Sequence, residues 1–451
     1  MSQTQRSHTA VPVHSPNSRQ DIAPRACPGR PRFRASLGSF LRKLGPGLIT
    51  GASDDDPSGI ATYSQVGAQF GYGMLWTMLI SYPLMGAIQE ISARIGRVTG
   101  CGIAANLRKY YPRWLLYPVV ALIVVCNTFN LGADIGAMGA AAQMLLPVHS
   151  GGYILAFGLL SLVLQLFVPY SAYVNYHKWL TVSLFAYVAA AFFAHVPWRT
   201  ALAESLWPHL RFNKEYWTGL TAVLGTTISP YLFVWQASQE VEEVRNTHGE
   251  KALKRAPRQA PDQLERIRID TYAGMALSNF VAFFIILTAG ATLHTHGITE
   301  VTSAAQAARA LEPFAGRWAV ALFACGIVGT GLLAVPVLAG SAAYAIGEAC
   351  KWRVSLESTP PHAVRFYATI TAATLTGLSL NFLHIDPMRA LFWAAVLNGL
   401  AAAPLMALIV AMAGTSRVMG SLAIPKPLQI LGWAATLVMF AVGVGVFTTW
   451  K

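Results

Sequence analysis

The sequence predicts an all-α membrane protein with about 11 transmembrane helices, arranged as two inverted halves of five helices each. Hydrophobic residues make up 54% of the 451-residue chain and charged residues only 12%, against about 25% charged in ordinary soluble domains. About eleven apolar stretches are long enough to cross ~30 Å of hydrocarbon as helices. The first and the sixth are interrupted near their middle by proline and polar residues. Interruptions at corresponding places in the two halves indicate an inverted repeat.

The apolar stretches divide the chain into a short leading segment and one transmembrane domain. We expect residues 1–43, which are polar, rich in arginine and contain several prolines, to form a disordered cytosolic tail without a cleavable signal. Residues 44–451 form the transmembrane domain. Its spans are placed near Pro46–Phe70, Gly73–Ala93, Leu115–Leu145, Tyr153–Val168, Leu180–Ala194, Trp217–Ala237, Tyr272–Leu293, Trp318–Ile346, Ala368–Leu383, Ala390–Ala413 and Leu428–Thr448.

The distribution of positive charge predicts the orientation of the chain. The net charge is +13, which in a soluble protein would suggest a nucleic-acid partner. With the N-terminus in the cytoplasm, 26 of the 33 lysines and arginines fall in cytoplasmic segments and seven in external ones. This asymmetry follows the positive-inside rule. We therefore expect a multi-pass protein of the inner (plasma) membrane, with membrane lipid around it and no nucleic-acid partner.

The interruption of the first span carries three consecutive carboxylates, Asp54, Asp55 and Asp56, followed by Pro57 and Gly59. One unpaired charge at this depth costs ~3 kcal/mol or more, so such residues usually face a cavity and bind something. The proline removes a backbone donor and the glycine tolerates non-helical angles, so we expect the helix to unwind between Asp54 and Gly59. Unwinding frees backbone carbonyls beside the carboxylates, and these oxygen ligands suit a hard cation.

The interruption of the sixth span runs from Gly225 to Tyr231, with Pro230 preceded by small and hydroxylated residues. Spans one to five and six to ten then form two halves, each of which opens with a broken helix. That pattern is typical of inverted-repeat secondary transporters, whose substrate site lies where the two breaks meet. A proline kink without a binding role is the alternative for Pro230, whereas the cost of mid-membrane carboxylates favours binding at the first break.

Several segments of the chain resemble the Nramp family of divalent-metal transporters. The resemblance covers roughly residues 44–415 and is strongest in the first hundred. It implies a LeuT-type fold with broken helices 1 and 6 and transport by alternating access. The matching segments are Gly45–Gly47, Asp56-Pro57, Gly67–Tyr72, Leu75-Trp76, Ala93–Gly100 and Ile269–Thr271.

The resemblance also implies a set of metal ligands. Matched position by position, Asp56 is the metal-binding carboxylate, and Ser53 and Thr226 give backbone carbonyl ligands. We place Asp55, Gly59 and Ser229 in the same predicted metal site. Asp134 matches an acidic residue of the third helix that is tied to proton movement in the family. The transported ion is a substrate, and we expect no cofactor.

Three positions depart from the family pattern. The family's first-helix asparagine ligand is replaced by Gly59, its sixth-helix methionine by Ser229 and the following histidine by Tyr231. Loss of the thioether removes the soft ligand that favours transition metals, and loss of the asparagine opens space for a cation that keeps several waters. We therefore predict divalent-cation transport with Mg²⁺ or Mn²⁺ as the leading substrates. Because tyrosine is a poor proton carrier at neutral pH, proton coupling is left open.

Four further polar residues have two interpretations each. Asp54 and Asp55 either join Asp56 in the site or form the edge of a vestibule or a structural pair. Asp134 either has a functional role or pairs with a neighbour such as Asn130. Asn398 in the tenth span either gives an amide oxygen to the ion or makes a hydrogen bond between helices.

The sequence gives less support to two other classes of function. A transporter of amino acids or other organic solutes with the same architecture would present uncharged helix N-termini to its substrate, and the aspartates would repel a substrate carboxylate. An intramembrane enzyme would need a catalytic motif, and the sequence contains no His-Glu-x-x-His, Gly-x-Ser-x-Gly or phosphate-binding loop. We therefore expect a protein that is not an enzyme.

Overall fold

The structure is a computed structural model that describes residues 50–51, 53–146, 150–168, 183–356, 360–383 and 385–449. Within these ranges the regular secondary structure is helical throughout, without a strand. The predicted tail of residues 1–43 lies outside the described residues. The principal helices are α1 (Pro57–Phe70), α2 (Trp76–Thr99), α3 (Arg113–Leu145), α4 (Ser150–Phe167), α5 (Phe185–Phe193), α6 (Lys214–Thr227), α7 (Pro230–Asn246), α8 (Ala260–Thr292), α9 (Ala319–Ala349), α10 (Val364–Leu380), α11 (Pro387–Gly414) and α12 (Lys426–Thr449).

The helices follow the order of the predicted spans. In the described part of the chain, seven helical segments are long and apolar enough to cross a membrane, and they correspond to spans three, four and seven to eleven. The sixth span does not reach this length because it is divided into two shorter helices. Of the first span, the structure describes α1 and, before the break, only the helical residues 50–51 and 53–54. Span two is α2, which is long but carries Gln89, Glu90 and Arg94. Span five overlaps residues 169–182, which are not described.

The first helix breaks over a shorter stretch than the sequence predicts. Residues 53–54 are helical, Asp55 and Asp56 leave the helix, and α1 begins at Pro57. Gly59 therefore lies in the first turn of α1, and the prediction that the chain unwinds as far as Gly59 is wrong. The reason is that proline fits the first position of a helix, where its missing N–H is not needed. Pro57 starts a helix here instead of ending one.

The sixth span breaks where the sequence predicts. Helix α6 ends at Thr227, and α7 begins at Pro230 after the extended Ser229 (φ −82°, ψ 129°). Helix α6 packs against α11 and α1, whereas α7 packs against α2 and α9. The two halves of the span therefore contact different parts of the bundle, and the break between them faces the first-helix break across the core.

Helix α8 begins at Ala260, well before the predicted start of its span at Tyr272. The added turns are polar and include Asp262, Arg266 and Arg268. An apolar window cannot detect them, because only the part of the helix inside hydrocarbon has to be apolar. The extension carries Arg266 to the acidic end of α7, where it forms ion pairs.

Helices α6 and α11 approach each other closely at Gly225, immediately before the sixth-span break. A Cβ atom built on Gly225 lies 2.1 Å from the carbonyl oxygen of Ala395 and 2.4 Å from the backbone nitrogen of Gly399. These are backbone atoms, so a side chain at position 225 forces the helices apart. Only glycine allows this contact, which holds the end of α6 against α11.

We predict that Gly225→Ala destabilises the protein by ~1–3 kcal/mol, the usual cost of overpacking a core. The measurement is the thermal unfolding midpoint of the purified protein in detergent. Gly152→Ala is the matched control, because a Cβ atom on Gly152 in α4 meets nothing within 4 Å and alanine favours a helix. Equal midpoints for the two variants would contradict the packing assigned to Gly225.

Candidate functional site

Asp56 lies at the break of the first span and caps the N-terminus of α1. Its Oδ1 accepts hydrogen bonds from the backbone N–H of Gly59 at 2.8 Å and from the Ser58 hydroxyl at 2.6 Å. Its Oδ2 accepts from Asn130 Nδ2 on α3 at 3.0 Å. These donors and the positive end of the α1 dipole stabilise a negative charge at a fully buried position.

The Tyr231 hydroxyl connects the two helix breaks. It lies 3.1 Å from the backbone oxygen of Ser53 and 3.4 Å from Asp56 Oδ2. A phenol has one hydrogen to donate, so it serves one of these oxygens at a time. The contact places two of the predicted ligands around one point, opposite the start of α7.

Thr226 and Gly59 meet across the same space. A Cβ atom built on Gly59 lies 3.3 Å from Thr226 Oγ1, at the end of α6. The Ser229 hydroxyl turns back and donates to the backbone oxygens of Thr226 at 2.7 Å or Gly225 at 3.0 Å. The Thr226 carbonyl, which the resemblance implies as a ligand, is therefore in contact with Ser229 in this structure.

Asp54 and Asp55 contact α8. Both are buried, and the Ser278 hydroxyl lies 2.6 Å from Asp54 Oδ2 and 3.1 Å from Asp55 Oδ1. One hydroxyl hydrogen serves two carboxylates, and Asp54 Oδ1 has no hydrogen-bond partner in the described part of the chain. Asp54 and Asp55 therefore lie in the core beside Asp56, and not at the water-facing edge of a vestibule. Together with Asp56 they concentrate negative charge that a cation can neutralise.

Asp134 lies one turn beyond Asn130 on α3 and is buried close enough to Asp56 and Tyr231 to interact with them electrostatically. Among the described residues, neither of its carboxylate oxygens has a hydrogen-bond partner. The Asn130 amide donates to Asp56 at 3.0 Å, so the predicted pairing of Asp134 with Asn130 is not formed. Asp134 is a second buried carboxylate on the α3 side of the site.

Asn398 lies on α11, next to Gly399, where that helix packs on the end of α6. It is buried, and both atoms of its amide group are without a hydrogen-bond partner within the residues that the structure describes. The helix-to-helix hydrogen bond considered for Asn398 is therefore not formed there. An amide that is buried and unpaired costs ~1–3 kcal/mol, which favours the presence of a water or an ion beside it.

A polar cavity approaches the site from the C-terminal end of α1. Its volume is about 410 Å³, and α1 lines it with Ala61, Gln65 and Gln69, which recur every fourth residue on one face. Gln65 binds the backbone of the facing loop, accepting from Val301 N–H at 2.7 Å. Ala61 is one helical turn beyond Pro57, so the cavity ends close to the helix break.

The opposite end of the bundle is closed by a buried charge cluster, which we define as Arg97, Glu240, Glu243, Glu250 and Arg266. Arg97 and Glu240 have fully buried side chains 3.7 Å apart, and Arg97 also pairs with Glu250. Arg266 pairs with Glu240 at 2.7 Å and Glu243 at 3.2 Å. Glu240 and Glu243, which follow the sixth-span break, thus pair with basic groups. The cluster ties α7 to α2 and α8.

Two contributors to the site escaped the sequence prediction. Tyr63 lies one turn after Gly59 on α1, is fully buried and interacts electrostatically with all three aspartates. The i, i+4 spacing on a helix could have identified it. Ser278 is 224 residues away from Asp54 in sequence, and no local pattern marks it.

Two broken helices that meet at buried carboxylates, inside an inverted repeat, define the class of protein as a secondary transporter of the membrane. The chain matches the family model described as natural resistance-associated macrophage protein-like (Nramp) over residues 47–449. It therefore belongs to the Nramp family, as its motifs predict.

Two curated relatives share one name. The divalent metal cation transporter MntH of Yersinia enterocolitica is 27% identical over 423 residues, covering 90% of this chain and 94% of the relative. The protein of the same name from Klebsiella pneumoniae is 25% identical over 414 residues, with 90% and 94% coverage.

The solved structures confirm the predicted fold. A manganese transporter of Eremococcus coleocola superposes with a TM-score of 0.72 at 15% identity, covering 93% of this chain and 89% of the other. Mhp1, a nucleobase-cation-symport-1 family transporter, superposes with a TM-score of 0.55 at 12% identity, with 90% and 93% coverage. The LeuT-type inverted repeat with broken helices 1 and 6 is therefore the fold of this chain.

Proposed function

We propose that this protein is a secondary transporter that moves a divalent metal cation, Mg²⁺ or Mn²⁺, across the membrane by alternating access. The observation that carries the proposal is the buried Asp56 carboxylate beside the Ser53 carbonyl and Tyr231, at the meeting point of the two breaks. The names of the MntH relatives and of the manganese transporter support a metal substrate. The ion is the cargo of a protein that is neither an enzyme nor dependent on a cofactor.

The donor set supports a hard, partly hydrated cation. The groups around the break are carboxylates, backbone carbonyls and hydroxyls, which are the ligands that Mg²⁺ and Mn²⁺ accept. The nearby sixth-span residue is Ser229, whose hydroxyl supplies oxygen where a thioether would supply sulfur. Asp55 and Asp56 balance the two positive charges of the ion, and Asp134 and Asn398 border its path.

The two ends of the bundle support a transport cycle. The polar cavity at Gln65 and Gln69 leads toward the site, and the buried charge cluster around Arg97 closes the other end. We place the Arg97 end and the N-terminus in the cytoplasm, in the inner membrane, from the distribution of lysine and arginine. In that orientation the polar cavity opens toward the outside, the buried charge cluster closes the inside, and the site between them is buried.

The direct test is uptake into liposomes that contain the purified protein. We expect Mg²⁺ and Mn²⁺ to enter protein-containing vesicles faster than empty vesicles, with Ca²⁺ slower, because the site binds a small hard cation. A pH-sensitive dye inside the same vesicles reports whether protons move with the metal. If none of the three metals entered the protein-containing vesicles faster than the empty ones, or if an amino acid were transported instead, the proposal would be overturned.

A further inference from the structure

Position 59, where the resemblance places an asparagine ligand, is closely packed in this protein, so that a side chain there would have to displace its neighbours. A Cβ atom built on Gly59 lies 3.2 Å from Tyr63 Cε2, 3.3 Å from Thr226 Oγ1 and 3.7 Å from the backbone oxygen of Asp54. The first two distances are shorter than ordinary contacts of a Cβ atom. The space of the missing ligand is therefore bordered by a tyrosine ring and a threonine hydroxyl.

Both residues carry a buried hydroxyl group, which needs a hydrogen-bond partner. Tyr63 and Thr226 are almost completely buried. Their hydroxyls lie near each other, yet neither makes a well-formed hydrogen bond in the described ranges of the chain. A hydroxyl left in this state costs ~1–3 kcal/mol. Buried polar atoms without protein partners usually bind ordered water.

The carboxylates that surround Tyr63 indicate that this water is bound to a cation. Tyr63 interacts electrostatically with Asp54, Asp55 and Asp56, the groups that would hold a divalent cation. Mg²⁺ loses its waters reluctantly and usually keeps several of them when a protein binds it. Water on such an ion donates strong hydrogen bonds, and a phenolic or threonine oxygen accepts them.

We propose that Tyr63, together with Thr226, determines specificity by accepting hydrogen bonds from water in the coordination shell of the cation. The tyrosine ring takes the place of a direct ligand at position 59 and keeps the ion hydrated on that side. A cation that keeps its waters gains these hydrogen bonds, whereas one that sheds them leaves the two hydroxyls only their poorly formed contact with each other. This inference rests on the proposed function, because it concerns the same site.

The test is Tyr63→Phe, which removes the hydroxyl and leaves the ring. Uptake of Mg²⁺ and Mn²⁺ into proteoliposomes is measured over a range of concentrations. We expect the ratio of kcat/KM for Mg²⁺ to that for Mn²⁺ to fall about fivefold to tenfold, the value of one ordinary hydrogen bond. Tyr187→Phe is the matched control, since Tyr187 is a buried tyrosine on α5 outside the aspartate cluster, and the ratio should not change.

A second pair of variants protects the test against a folding defect. Thr226→Val loses the hydroxyl at nearly constant volume and should lower the same ratio, whereas Thr226→Ser keeps the hydroxyl and should preserve it. A ratio unchanged in both Tyr63→Phe and Thr226→Val, with Mg²⁺ uptake intact in the unaltered protein, overturns this inference alone. Absence of metal uptake by the unaltered protein overturns the proposed function as well.

Discussion

Asp56→Asn is expected to reduce metal uptake by about 100-fold or more while the protein remains folded. The variant keeps an oxygen that accepts the Gly59 N–H, and asparagine is as good a helix cap as aspartate, so α1 is preserved. It removes the negative charge. Loss of one charged partner from a buried pair costs ~3–5 kcal/mol, and each 1.4 kcal/mol corresponds to a factor of ten. The measurement is Mg²⁺ and Mn²⁺ uptake by proteoliposomes, with the thermal midpoint recorded beside it.

The matched control for Asp56→Asn is Asp262→Asn. Asp262 is an exposed carboxylate in the first turn of α8, far along the chain from either break, and its loss should leave uptake unchanged. Asp56→Ala adds a second comparison, because it also removes the cap and should lower the thermal midpoint by the equivalent of ~1 kcal/mol. Uptake by Asp56→Asn at the rate of the unaltered protein would remove Asp56 from the site.

Arg97→Leu is expected to cause the largest loss of stability, ~3–5 kcal/mol, because it leaves buried charge uncompensated. Without Arg97, Glu250 loses its ion-pair partner and keeps only the hydrogen bond from Gln263, and Glu240 retains only Arg266. The thermal midpoint of the purified protein in detergent measures the effect.

Arg258→Leu is the control for Arg97→Leu. Arg258 is an exposed arginine in the loop before α8, where a change of charge typically alters stability by less than ~0.5 kcal/mol. A double variant, Arg97→Leu with Glu250→Leu, should recover part of the lost stability, because it removes a carboxylate that would otherwise stay unpaired. Equal midpoints for the two single variants would show that the cluster does not hold α7 to α2.

The sequence is sufficient to predict most of the fold. Hydropathy identifies the spans because lipid requires about twenty apolar residues per helix, and proline with carboxylates marks the two breaks. The extent of the first break is not predictable in the same way. Pro57 both ends the preceding turn and starts α1, and a local pattern does not distinguish these roles. The polar start of α8 is also missed, since nothing in its composition requires a helix.

The site is less predictable than the fold. Asp56 is marked by its position, and the resemblance adds Ser53 and Thr226. The groups that solvate Asp56 come from elsewhere, and Asn130 is 74 residues away in sequence. Such contacts depend on how helices pack, which a single sequence does not reveal. Of these residues, only Tyr63 could have been predicted from helical periodicity, because it lies on the same face of α1 as Gly59.

The Tyr231 hydroxyl has one hydrogen and two acceptors within reach, and this affects the step in which the transporter changes conformation without its ion. In the transport cycle proposed above, the carrier changes conformation both loaded and unloaded, and a buried carboxylate that has lost its cation makes the unloaded step slow. When the ion leaves, the Tyr231 hydroxyl can turn from the Ser53 carbonyl, 3.1 Å away, toward Asp56 Oδ2, 3.4 Å away. The protein thereby supplies a temporary substitute for its cargo, and the ion must displace that substitute on the next turnover. We therefore expect competition between the Tyr231 hydroxyl and the ion for Asp56 to weaken ion binding and speed ion release.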